Sequence, residues 1–181
     1  MHLHYLSRHA DGPPHGTDLS PAHLGKLRLR GLTARDRRLH TAHLLRLSAE
    51  DRRARFHSAI SDKAVIAYSR GLDWNHAWVF GAFVDGTLRG VGELVPLEGT
   101  DEGELSISVE KPYQHMGIGK MLTLALILAA RRTGIGTVRM LYVHGNQRMR
   151  ALARDLGAKT IAAPGVLEGV VTVAEKPRRP A

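Results

Sequence analysis

No cysteine occurs among the 181 residues. That excludes a disulfide framework, a thiolate nucleophile and cysteine-ligated zinc. Long apolar runs are missing too: none approaches the ~18 residues of a membrane span, and the amino terminus lacks a continuous apolar signal segment. A soluble cytoplasmic protein is the expectation. Aromatic residues are sparse at 5%, with only two Trp and no evident stacking platform for nucleic acid. Acidic residues are outnumbered, 17 Asp and Glu against 26 Lys and Arg, for a formal charge of +9. Such an excess attracts nucleic acid, anionic lipid or an anionic cofactor. The Arg are scattered through helices and tails, which argues against a nucleic-acid stripe and leaves an anionic cofactor as the natural use. Hydrophobic residues at 43% mark a globular chain, long enough for one domain with a substantial core.

The chain divides into three parts. Residues 1–25 hold five His and Pro13-Pro14 without a sustained period, which predicts a flexible arm; the His spacings match no zinc pattern, so no metal is expected. Residues 26–175 form the folded domain, and 176–181 a basic tail. Lys26 to Arg30 alternates like a strand, and Thr33-Ala-Arg-Asp36 starts a helix running to about Leu47. Further helices are expected from Asp51 to His57 and from Ser61 to Ser69. Two strands, His76 to Val84 and Thr87 to Val95, flank the hairpin turn Asp85-Gly86. Then come a strand from Glu104 to Val109, a long helix from Gly119 to Arg132 closed by Gly134, and a strand from Thr137 to Val143. A helix from Asn146 to Leu156 and one or two final strands, the last from Val166 to Ala174, complete the order. It predicts a mixed α/β fold: a twisted mixed sheet of six to seven strands, one central βαβ crossover and helices on both faces.

Between the Glu104–Val109 strand and the long helix lies Gln114-His115-Met116-Gly117-Ile118-Gly119-Lys120. A strand that breaks into a glycine loop and then a helix offers unpaired N–H groups and the positive end of a helix dipole to a phosphate. A Walker A loop would need Gly where Gln114 stands and a hydroxyl where Met121 stands. A dinucleotide fingerprint would need a third Gly at Leu122, and an acid after the next strand, which ends in Val143-His144-Gly145. Both fail. The remaining pattern, Gln-x-x-Gly-x-Gly, resembles the coenzyme-A pyrophosphate loop of the GNAT superfamily of N-acetyltransferases. Asn146-Gln147-Arg148-Met149, with Gly157 closing the helix, is similar to the family's next motif. Leu47 to Phe56, Met149 and a Glu ten residues before the loop Gln resemble the bacterial Pat-type protein lysine acetyltransferases.

The resemblance implies an acetyl-CoA-dependent N-acetyltransferase without a metal. Its expected partners are acetyl-CoA and an amine acceptor, a small molecule or a protein lysine. A homodimer stays open, and no membrane or nucleic acid is expected. It implies that residues 114 to 120, with Asn146 and Met149, hold coenzyme A, and that Ile107 and Val109 act through their main chain on the pantetheine and thioester. Glu104 is the expected general base. By strand alternation it shares a face with Ser106 and Ser108, opposite Leu105, Ile107 and Val109. Glu93 on the preceding strand is the rival. Many members carry a Tyr general acid where this chain has Ala153, so the acid is unassigned. His115 and His144 read as loop residues, and Trp74 and Trp78 as packing. The segment from Arg46 to Ser69 is basic, which suggests an anionic acceptor or an acidic protein surface. Without a working base the same fold would be a coenzyme-A-sensing module, and a basic nucleic-acid-binding protein is the remaining alternative.

Overall fold

The computed structural model describes residues 26–173; the expected arm (1–25) and basic tail (176–181) lie outside the described residues. Strand β1 (Leu27–Leu32) leads into a short 3-10 turn, where the Thr33 N–H donates to the Asp36 carboxylate at 3.0 Å and starts α1 (Arg37–Arg46). Helix α2 (Ala49–Phe56) is capped by Ser48 Oγ, which accepts the Asp51 N–H, and α3 (Asp62–Gly71) by Ser61 Oγ, which accepts the Ala64 N–H. Strands β2 (Trp78–Val84) and β3 (Thr87–Pro96) meet at Asp85-Gly86, both at positive φ, as a two-residue hairpin loop demands. Strand β4 (Glu102–Val109), helix α4 (Ile118–Thr133), strand β5 (Thr137–Val143) and helix α5 (Gln147–Asp155) follow, then β6 (Lys159–Ala163) and β7 (Val166–Thr172). Sequence reading left β6 open, because an exposed edge strand has little apolar alternation to betray it.

The seven strands make one sheet in the order β1-β2-β3-β4-β5-β7-β6. Only β4 and β5 run parallel, joined through α4. On one face α4 packs Ile118, Leu122 and Leu126, each at most 1% exposed, against β2, β3 and β4. Burial of this kind contributes roughly 1.5–3 kcal/mol per large side chain. Close approach is possible because β3 carries Gly92, where a Cβ would stand 3.0 Å from both Ile107 and Leu126. The opposite face is covered by α1, α2 and α3 over β3, β4 and the near side of β5. Trp74 packs edge-on to His40 at 5.3 Å, and Trp78 packs against the main core.

The feature that matters for function lies between β4 and β5. They pair over three rungs only, Glu102 with Thr137, Gly103 with Val138 and Glu104 with Arg139. Beyond Glu104 they diverge. Leu105 to Val109 stay paired to β3, and Met140 to Val143 to β7, so a wedge opens in the middle of the sheet.

Candidate active site

The wedge has a polar edge. The Glu110 N–H donates to the Arg89 carbonyl at 3.0 Å, which sets the alternation of the β3–β4 ladder. In an antiparallel pair successive residues turn their backbone groups to opposite sides. Ser106 and Ser108 therefore face β3 with their main chain, while Ile107 and Val109 face the wedge. The Val109 carbonyl confirms the parity, since it accepts a hydrogen bond from Gln114 Nε2 at 2.8 Å. One of its lone pairs is thus taken, and the Ile107 main chain is the freer of the two.

A cavity of about 340 Å³ opens along the β4 side of the wedge. Its lining includes Ile107 and Val109, the loop residues Gln114, His115, Gly117, Ile118, Gly119 and Lys120, and Asn146 and Met149. Met116 does not line it and packs instead beside Ile118 and Leu122. Glycine governs the loop end. Gly117 sits at φ +77 as the N-cap of α4 and offers no capping side chain; the first turn holds no acid. The first backbone bond of α4 runs from Met121 N–H to the Gly117 carbonyl, so the N–H groups of Ile118, Gly119 and Lys120 have no intrahelical acceptor. A Cβ at Gly117 would meet nothing within 4 Å and one at Gly119 only Ile107 at 3.8 Å, so the space beside this helix end is open. Unpaired donors, a helix dipole and open space fit a diphosphate. Asn146 has a structural duty as well: its side chain caps α5 by accepting the Met149 N–H at 3.0 Å.

The structure adds residues that sequence reading missed. Helix α2 lies against the wedge and contributes Asp51, Ala54 and Arg55 to the cavity; α5 contributes Arg148, Leu152 and Asp155. Gln114 Nε2 donates to Asp51 Oδ1 at 2.9 Å, Arg148 Nη2 meets the same oxygen at 3.0 Å, and Arg148 Nη1 donates to Gln114 Oε1. The Gln114 side chain thus ties the loop to β4, α2 and α5.

Neither proposed carboxylate base lines the cavity. Glu93 is 1% exposed; it takes hydrogen bonds from His40 and Tyr68 and an ion pair from Arg55 at 3.0 Å. Burial alone would raise its carboxyl, but the Arg55 charge and the His40 and Tyr68 bonds override that and hold it at about 2. Such a group is ionised and fully committed. Glu104 is half-buried at the vertex of the wedge, on the face shared with Ser106 and Ser108, and its carboxylate makes no hydrogen bond or ion pair among the described residues. Ala153 is 1% exposed in the core and Tyr142 is fully buried there, so neither offers a proton to the wedge; Tyr113 does line the cavity.

The basic wall expected from Arg46 to Ser69 is largely neutralised. Arg46 pairs with Glu110, Arg52 with Asp62 and Arg55 with Glu93, which the sequence could not show because the partners lie up to 64 positions away. A second buried network joins His43 to Glu110 and Ser108, with Arg46 and Arg89 on the same carboxylate.

Comparison with known proteins agrees with this fold. Residues 38–158 match the model of the acetyltransferase (GNAT) family. The GNAT domain of S. lividans PAT superposes with a TM-score of 0.69 at 20% identity, covering 82% of this chain and 91% of that one. The ribosomal-protein-S18-alanine N-acetyltransferase from Escherichia coli gives 0.65 at 17% identity, covering 86% and 99%. The PaiA N-acetyltransferase from Thermoplasma acidophilum, solved in complex with coenzyme A, gives 0.62 at 18% identity, covering 81% and 99%.

Proposed function

The chain belongs to the acetyltransferase (GNAT) family, and on that premise we propose that it moves an acetyl group from acetyl-CoA to a primary amine by direct attack in a ternary complex. The observation that carries the proposal is the wedge between β4 and β5, with uncapped helix N–H groups at one end and an unengaged carboxylate at its vertex. Acetyl-CoA supplies the reactive thioester. Residues 117 to 120 hold its diphosphate on backbone N–H groups, and Asn146 and Met149 border the arm. The Ile107 main chain polarises the thioester carbonyl, so developing negative charge meets a dipole already in place. A covalent acyl-cysteine route is closed, since the chain has no cysteine.

Glu104 serves as the base. It takes a proton from the acceptor ammonium, directly or through a neighbouring group, freeing the lone pair for attack. Glu93 is set aside for this role, because a carboxyl held at about 2 by Arg55 is too weak a base near neutral pH. The leaving thiolate needs no dedicated acid, as a free thiol has a pKa near ~8.5. The acceptor is a protein lysine or a small amine. The paired arginines of α2 remove the argument for an anionic one.

The test is release of free thiol from acetyl-CoA across a panel of amines and lysine peptides. Glu104→Gln should lower turnover by roughly 10²-fold or more with coenzyme-A affinity kept. Retained coenzyme-A binding without turnover of any amine would instead identify a non-catalytic sensing module.

A further inference from the structure

Helix α2 ends at His57, whose backbone adopts the left-handed conformation at φ +61. A left-handed residue is a common helix stop, usually Gly, and here His takes the position. The turn sends the ring to the β5 edge of the wedge, beside the cavity rather than in its lining: His57 Nε2 lies 2.9 Å from the Leu141 carbonyl. A carbonyl only accepts, so Nε2 carries the hydrogen and Nδ1 of the neutral ring holds a bare lone pair. Nδ1 has no partner among the described residues, where the only buried unpartnered side-chain nitrogens are Arg52 Nε and Arg89 Nε. The lone pair is therefore unengaged and reachable.

Its position is the second half of the argument. Leu141 stands two residues beyond Arg139, the rung partner of Glu104. Strand rise and spacing put the Leu141 and Glu104 Cα atoms about 8 Å apart where the wedge opens. Helix α2 approaches from the face on which Glu104 projects, the face where Arg55 meets Glu93 and His43 meets Ser108. Glu104 on the β4 side and His57 on the β5 side thus flank the same opening, the carboxylate unpaired among the described residues and the ring with its Nδ1 unengaged.

We propose that His57 is a second catalytic residue: Glu104 takes the first proton from the acceptor ammonium, and His57 takes the second as the neutral amine attacks. As the amine lone pair attacks the acetyl carbon, an N–H proton passes to His57 Nδ1, the ring becomes an imidazolium still bonded to Leu141, and the C–S bond breaks to release the thiolate. The imidazolium and the Glu104 carboxyl then return their protons to solvent. The inference rests on the acetyltransfer reading above. It adds to the base on the sheet a second one from the helical insertion.

The test uses the whole chain with acetyl-CoA and whichever amine the wild type acetylates. His57→Ala should lower kcat by roughly 10²-fold with the KM for acetyl-CoA unchanged, and free imidazole in the buffer should restore turnover. His57→Gln retains a donor for the Leu141 carbonyl but has no base, so it should stay as slow as the Ala variant. Full activity of His57→Gln, or failure of imidazole to restore the Ala variant, would show that the ring only tethers α2 to β5 and would overturn the proposal. If the wild type acetylates no amine, the proposal falls together with the acetyltransfer reading, an outcome that a defect confined to the His57 variants cannot mimic.

Discussion

Arg148 on α5 and Asp51 on α2 meet at 3.0 Å across the space that separates β4 from β5. The ion pair alone counts for little: the Arg148 side chain is 46% exposed, and pairs of that kind contribute about 0–1 kcal/mol. Asp51 matters more through Gln114, whose amide it shares with the Val109 carbonyl. The two bonds together hold the start of the 114–120 loop between the end of β4 and α2.

Asp51→Ala should therefore loosen the loop without unfolding the sheet. The expected result is faster amide hydrogen exchange across residues 114 to 120 and a KM for acetyl-CoA raised about tenfold, or ~1.4 kcal/mol of binding. Arg148→Gln should show a smaller change in both, because Gln114 keeps its two acceptors. Unchanged exchange in the Asp51 variant would mean that the loop is held by its own backbone.

Little of this bridge could be read from the chain, and the reason is distance. Asp51 and Gln114 are 63 positions apart, and Asp51 and Arg148 97. Local signals were legible where one residue type has one physical use. Asp85-Gly86 marked the hairpin, Gly134 at φ +83 ended α4, and the Thr137–Val143 strand keeps the bounds its alternation predicts. The strand–glycine–helix junction was legible for the same reason, since Gly117 at φ +77 caps α4 without a side chain. Charge was misread: Arg46, Arg52 and Arg55 look like a solvated basic face until their carboxylate partners are folded against them. His57 gave no signal, because its use depends on a left-handed φ and on a carbonyl of β5.

The pairing of Arg55 with Glu93 predicts a stability result. Both are almost wholly buried, so removing the guanidinium leaves an uncompensated carboxylate in the core. Arg55→Ala should cost about 3–5 kcal/mol in urea unfolding. Adding Glu93→Gln should recover part of it by removing the stranded charge while an amide still reaches His40 and Tyr68. Arg52→Ala is the contrast: its partner Asp62 is 70% exposed, so the lost ion pair itself should count for less than ~1 kcal/mol. Equal losses in the two single variants would contradict the assignment of Glu93 as a structural, ionised carboxylate.

Stability should also depend on pH in two steps of known sign. Burial pushes the His43 imidazole below its ordinary value, against the pull of Glu110. A lowered histidine favours the neutral ring in the folded state, so its contribution is complete above the unfolded value near ~6.5 and is lost as pH falls below it. Glu93 and Glu110 are held at about 2, where guanidinium and imidazole partners outweigh burial. Their contribution is present above the ordinary carboxylate value near ~4.3 and disappears as pH falls toward 2. Calorimetric Tm should accordingly decline from about pH 6.5 downward and more steeply below about pH 4.3. His43→Gln replaces the titrating ring with an amide, so the difference in stability between variant and wild type should narrow as pH drops from 7 to 5. The slope of that difference is bounded by one proton, ~1.36 kcal/mol per pH unit. A difference that stays constant over the interval would place the acid sensitivity on other groups and leave His43 as a packing residue between Ser108 and Glu110.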